Sequence, residues 1–203
     1  MIFKDFDINF DLDKIATLKY DVDFRTYHLV FKNKNKAIQT IKKDLSSDEP
    51  SFSDVSNLKI IFDENSNIIG FINFINKKEK IKFKTIFKLF KNVGFLNGFR
   101  LGIVSFLDSF VLADFKNRDI YLAEIAIDSS KRGKGFGTKV LNKFIQESKN
   151  KKEYKRITLD VDVRNENVKA LYEKLGFKVF NKKNFKIFSF ERGMYNMEFI
   201  LDE

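Results

Sequence analysis

The chain has 203 residues, enough for one large domain and for a core that needs no covalent staples. It has no cysteine and one histidine, which excludes disulfides, thiolate metal ligands, a cysteine nucleophile and a multi-histidine metal site. The net charge of +10 comes from lysines interleaved with Asn, Asp and Glu, as in Lys32-Asn33-Lys34-Asn35-Lys36; it reads as compositional bias and solubility, with a functional anion field as the alternative, and no nucleic-acid-binding motif accompanies it.

The N-terminus carries Asp5 and Asp7 where a signal peptide would be apolar, so a cytoplasmic protein is expected. Ile2–Ile8 reads as a first strand. Asp11–Asp23 reads as a helix with Leu12, Ile15, Ala16 and Leu18 near helical spacing, and Lys36–Leu45 as a second. His28 lies between them and reads as a surface or groove residue. Val55–Phe62 and Ile68–Ile75 are apolar runs joined by turn chemistry, a hairpin. From Phe83 to Leu112 apolar residues recur twice at helical spacing, broken by Gly94 and Asn97-Gly98. A membrane span fails there on Lys88, Lys91, Arg100 and Asp108, each costing about 2.5–3.5 kcal/mol near a bilayer centre. The segment is therefore expected as two amphipathic helices covering a core or groove, with no membrane contact. Strand and helix then alternate: strand Ile120–Asp128, helix Gly135–Lys149, strand Arg156–Val163, helix Asn165–Leu175. Strands Phe177–Phe180 and Met194–Leu201 close the chain around a basic loop, Lys182–Lys186. The order implies a mixed sheet with parallel neighbours in the second half.

Chemistry concentrates between Ile127 and Thr138. A strand ends, a short turn follows, and Gly133, Gly135 and Gly137 sit at alternate positions where a helix begins. Glycines there let backbone N–H groups approach a phosphate, and the helix start adds roughly half a positive charge. Lys131, Arg132 and Lys134 add cations. The turn is neither a Walker loop nor a dinucleotide fingerprint. By itself it says that an anion can bind; the plain alternative is a basic loop before a helix.

Asn165 through Ala170-Leu171-Tyr172 to Gly176-Phe177 adds a helix start, a glycine stop and a strand start. Together the two elements resemble the GNAT acetyltransferase superfamily over about Tyr121–Phe180: Arg132-x-x-Gly135-x-Gly137 matches its acyl-CoA-binding motif and Asn165…Tyr172…Gly176-Phe177 its next one. The insertion at 83–112 departs from a minimal member, and Ser129 stands where many members have proline.

The resemblance implies an α/β fold: a mixed, mostly antiparallel central sheet with helices on both faces and a splayed parallel strand pair, residues 1–203 forming a single acetyltransferase domain with 83–112 a helical insertion before the fourth strand. It implies acetyl-CoA as cosubstrate and no metal. Backbone amides of Arg132, Gly133, Lys134, Gly135, Phe136, Gly137 and Thr138 would hold the CoA diphosphate, the backbone of Ile125, Ala126 and Ile127 the pantetheine arm, and Asn165 would contact that arm. Tyr172 would be the general acid to the departing thiolate, its alternative being an aromatic packed on the following strand. Glu124 and Asp160, both embedded in apolar strands, are the candidate bases, with no dedicated base as a third reading; a structural ion pair with a lysine is the alternative for either. Direct transfer to an amine-bearing acceptor, small molecule or peptide, follows, with a non-catalytic acyl-CoA sensor as the rival. Exposed strand edges are compatible with a homodimer.

Overall fold

The computed structural model describes residues 1–48, 50, 51, 53, 55–76, 83–187 and 190–201, with the backbone alone at 83–85, 187 and 190. Seven strands are hydrogen-bonded in the order β1-β2-β3-β4-β5-β7-β6: β1 (Ile2–Asp5), β2 (Lys59–Phe62), β3 (Ile68–Ile75), β4 (Asp119–Ile127), β5 (Arg156–Asp162), β6 (Lys178–Ile187) and β7 (Phe190–Ile200). β1–β2, β2–β3, β5–β7 and β6–β7 are antiparallel, and β4–β5 is the parallel pair. The sheet is mixed, as the alternation of elements implies. The helices are α1 (Leu12–Val22), α2 (Phe24–Phe31), α3 (Lys34–Leu45), α4 (Phe83–Val93), α5 (Phe95–Asp108), α6 (Phe136–Asn150) and α7 (Glu166–Lys174).

The chain condenses into two compact units. The first comprises Met1–Asn73, Glu79–Val104 and Glu124–Lys134; the second comprises Phe74–Lys78, Ser105–Ala123 and Gly135–Glu203. In the first unit, helical spacing becomes burial. Ile15, Ala16 and Leu18 of α1, Val30 and Phe31 of α2, and Ala37, Ile41 and Leu45 of α3 meet Ile60 of β2 and Phe71 of β3 in one apolar cluster. Val93, Leu101 and Val104 bring the inner faces of α4 and α5 into the same cluster. Asp44, fully buried, accepts from the N–H and hydroxyl of Ser51, the N–H of Ser53 and the amide of Asn92, fastening α4 to the end of α3. Its satisfied oxygens make that burial tolerable.

In the second unit, α6 buries Val140, Leu141, Phe144 and Ile145, the spacing its sequence displays. The parallel register runs Asp119–Arg156, Ile120–Ile157 and Tyr121–Thr158, and ends there. Leu122 and Ala123 therefore continue β4 without a partner on β5, so the splay expected of this pair begins inside the unit.

Two local expectations change and one helix is new. α2 fills the stretch around His28 that had no element assigned: Asp23 closes α1 and caps α2, accepting from Thr26 N–H, and Tyr27 stacks on Phe31. His28 lies exposed on it. The run Val55–Phe62 becomes strand only from Lys59, because the Leu58 N–H turns back to the Val55 carbonyl. Lys182–Lys186 is not a loop but part of β6, registered on β7 out to Ile187–Phe190. β6 ends the sheet order, and lysines on an edge strand blunt it against further pairing.

Gly70 is required by close approach. A Cβ built there would lie 2.2 Å from the Ala126 carbonyl oxygen, a backbone atom that can move only with its strand. Gly70→Ala is expected to lower stability by about 2–3 kcal/mol, read as a shift of the urea midpoint at unchanged slope.

Candidate active site

The turn that follows β4 is built from its first residue onward. Asp128, itself paired with Lys14 of α1, accepts from the N–H and hydroxyl of Ser130 and starts a single 3-10 turn at Ser129–Lys131. Arg132 folds back, its Nε donating to the Ile127 carbonyl at 3.0 Å, and Lys134 Nζ donates to the Ser130 carbonyl at 3.2 Å. Lys131 pairs with Asp63 at 3.2 Å, so its charge is partly spent. Gly133 and Gly135 then adopt φ of 73° and 75°, the left-handed region, and a Cβ at either would point into open space. Gly135 is the N-cap of α6 and offers no side-chain cap. None of the backbone N–H groups from Gly133 to Thr138 donates to a described carbonyl, whereas Arg132 N–H turns to Ser129. Unspent donors at a 15-residue helix start, with open space where a Cβ of Gly133 or Gly135 would be, fit a diphosphate.

Asn165 occupies the N-cap position of α7, and its side chain makes no cap bond. Its backbone supplies the turn instead, N–H to the Asp162 carbonyl and carbonyl from Val168 and Lys169. The amide is left exposed. Tyr172 lies on the buried side of α7 with its ring 5.4 Å from that of Phe177, edge to face. The packing alternative for Tyr172 is thus present, whatever else the phenol does. Burial pushes the phenol well above its ordinary pKa, so it keeps its proton throughout the neutral range. No described residue hydrogen-bonds the hydroxyl.

The two embedded carboxylates differ. Glu124 pairs with Lys19 of α1, whose side chain is 2 % exposed against 20 % for Glu124. Asn73 donates to the same Oε2 at 3.4 Å, and no described donor reaches Oε1. Lys19 also lies over the Phe71 ring at 5.1 Å. The lysine alternative for Glu124 is realised, and one carboxylate oxygen is still uncommitted. Asp160 is enclosed: it accepts from Ala113 N–H at 3.0 and 3.1 Å, from Tyr121 hydroxyl at 2.8 Å and from the amide of Asn196. Burial raises its pKa, the three donors opposing.

The sequence profile of the acetyltransferase (GNAT) family matches residues 25–177, three quarters of the chain. The chain belongs to the GNAT acetyltransferase family. Similar solved structures include an N-acetyltransferase of Staphylococcus aureus (TM-score 0.64, 17 % identity, covering 98 % of this chain and 100 % of that one). A spermidine/spermine N-acetyltransferase of Vibrio cholerae, in mutant forms, gives a TM-score of 0.57 at 16 % identity, over 98 % of this chain and 94 % of that one. No curated protein matches the sequence.

GNAT membership makes the glycine turn the part of the site whose geometry fits its expected ligand most directly. Sequence reasoning missed Lys19, Asn73, Tyr121 and Asn196, the partners of the two carboxylates. Lys19 carried a signal: it falls four residues after Ile15, on the apolar face of α1.

Glu124→Gln strands a nearly inaccessible ammonium, whereas Lys19→Met strands a carboxylate that retains some water and Asn73. The first is expected to cost about 3–5 kcal/mol and the second clearly less, measured by urea unfolding of the two variants. For Asp160 the folded pKa is raised, so its contribution to stability is present below the unfolded pKa and lost as pH rises through the folded one. Asp108 shifts the same way, mainly through burial and against Arg192. Asp160→Asn should therefore gain stability relative to the parent as pH rises out of the usual carboxylate range, seen in urea midpoints taken across pH.

Proposed function

We propose that the chain is an acetyl-CoA-dependent N-acetyltransferase that acylates a primary amine by direct attack in a ternary complex, with residues 1–203 acting as one domain. The run of undonated N–H groups from Gly133 to Thr138, in a chain of this family, is the observation that carries the reading. Those amides hold the diphosphate, and the Arg132 and Lys134 side chains brace the turn through the Ile127 and Ser130 carbonyls. Backbone groups of Ile125, Ala126 and Ile127 hold the pantetheine arm as an added strand would be held, and the exposed Asn165 amide contacts it.

Acetyl-CoA supplies the thioester that the amine opens. Tyr172 donates its proton to the sulfur as the carbon–sulfur bond breaks; a phenol held neutral by burial starts in the required state. Glu124 accepts the proton released by the amine nitrogen through the uncommitted Oε1, while Oε2 stays with Lys19 and Asn73. Asp160 is the weaker candidate base, because all its described contacts are already donors pointing at it. No cysteine exists to carry an acyl-enzyme. A cytoplasmic setting suits a CoA thioester. The acceptor class is open; spermidine, from which the Vibrio cholerae enzyme takes its name, belongs in the panel beside amino acids and peptides.

The test is release of the free CoA thiol from acetyl-CoA over a mixed primary-amine library, with products read by mass. Tyr172→Phe is expected to lower turnover about a hundredfold with acetyl-CoA affinity retained. Gly135→Val, which strains φ and puts a side chain into the open space, should weaken CoA binding at least tenfold. CoA binding without product from any amine would point instead to a sensor on the same fold.

A further inference from the structure

Glu124 is met from three elements. Lys19 of α1, its side chain 2 % exposed, pairs with Oε2 and lies 5.1 Å over the Phe71 ring of β3. Asn73 of β3 donates to the same oxygen at 3.4 Å. Tyr27 of α2 is near enough to feel the carboxylate. Burial first, then the charges of Glu124, Asp23 and Asp44, push its phenol well above the ordinary pKa, so it stays neutral. The charge that answers Glu124 is therefore that of Lys19.

This pairing limits which amine Glu124 can serve. A proton placed on Glu124 would leave Lys19 beside a neutral acid, an ammonium with 2 % exposure and no anion. Stripping a free alkylammonium would incur that loss with nothing to offset it. The proton becomes available only after attack. Once the nitrogen lone pair has bonded to the thioester carbon, the nitrogen is positively charged beside an electron-poor centre and is strongly acidic. Its proton then passes to Oε1, the carbon–sulfur bond breaks, and the sulfur takes the Tyr172 proton. The amine must consequently arrive with its lone pair free. At pH 7 about a tenth of peptide α-amino groups are neutral, against roughly 0.04 % of lysine-type alkylamines. A polyamine would in addition need carboxylates for its remaining cations. On α1, Asp13 pairs with Lys42 at 2.6 Å and Asp21 with Lys34 at 3.5 Å, while Asp23 caps α2, itself without an acidic residue. We propose that the acceptor is a weakly basic primary amine, typified by the α-amino group of a peptide, and that Lys19 is the positioning residue behind this preference. The inference rests on the reading of Glu124 as the base.

The experiment gives the full chain acetyl-CoA and a peptide with a free α-amino group and one internal lysine, with spermidine and n-propylamine in parallel, and reads products by mass. At pH 7 the α-amino group should react at least thirtyfold faster than the lysine side chain or either alkylamine. For the α-amino group kcat/KM should level off near pH ~8, whereas for n-propylamine it should still rise about tenfold per pH unit there. Lys19→Met should narrow the α-amino preference at least fivefold, and Lys19→Arg should keep it. The two amines share one peptide, so partial loss of folded protein cancels from the ratio. Faster acetylation of spermidine or of the lysine side chain at pH 7, or a ratio unmoved in Lys19→Met, would overturn the inference and leave the acetyltransferase reading standing. No product from any amine would remove both.

Discussion

An ammonium with 2 % of its side chain exposed has to find an opposite charge inside the protein, and Lys19 finds Glu124. Breaking such a pair costs several kcal/mol because the survivor stays buried, so the pair fixes α1 against the second half of β4. Five residues earlier on the same helix, Lys14 holds Asp128, the residue that follows β4. Two lysines five residues apart thus clamp a stretch of strand four residues long. Asp128 in turn orients Ser130, and the Ile127 carbonyl receives Arg132. The path of the glycine turn is therefore inherited from the clamp: the donors can stay unspent because other groups, not they, hold the loop in place.

That arrangement separates roles that a list of carboxylates would merge. Asp128 is structural, with both oxygens used to shape the turn. Asp160 is a junction: its donors come from the segment after α5, from β4 and from β7, and removal of its carboxylate would leave the Ala113 N–H without it while the Asn196 amide keeps the Val111 carbonyl. Glu124 alone combines a fixed oxygen with an uncommitted one. Low dielectric strengthens all three networks, and the 20 % exposure of Glu124 is what makes its open oxygen tolerable there.

The second half of the fold was legible because its signals are local. A helix start at Gly135 and buried positions Val140, Leu141, Phe144 and Ile145 can each be read within one or two turns of chain. α2 was not legible, since Phe24-Arg25-Thr26-Tyr27-His28-Leu29-Val30-Phe31 is rich in β-formers and becomes helical through its Asp23 cap and tertiary stacking. The lysines of β6 resembled a loop for the related reason that an edge strand is polar by design. For the site, the backbone donors could be inferred from glycine spacing. The partners of Glu124 could not, because Lys19 and Asn73 lie 105 and 51 residues away in sequence.

The insertion shows the limit of periodicity most clearly. Apolar spacing at 3.6 residues identifies a face but not its surroundings, and α5 has two such faces. Gly98, Leu101 and Val104 form the inner one, while Phe95, Phe99 and Ile103 form the outer. Hydropathy ranks the outer face as the more apolar, so sequence alone would bury it. Burial goes to the smaller residues because Asn92 and Arg100 dictate the rotation of the hairpin: their donors must reach Asp44 and Val30, and an unmet guanidinium at an interface with the core costs more than an exposed phenylalanine. Polar anchoring thus overrides the hydrophobic ordering, and the larger aromatic side chains are left facing outward.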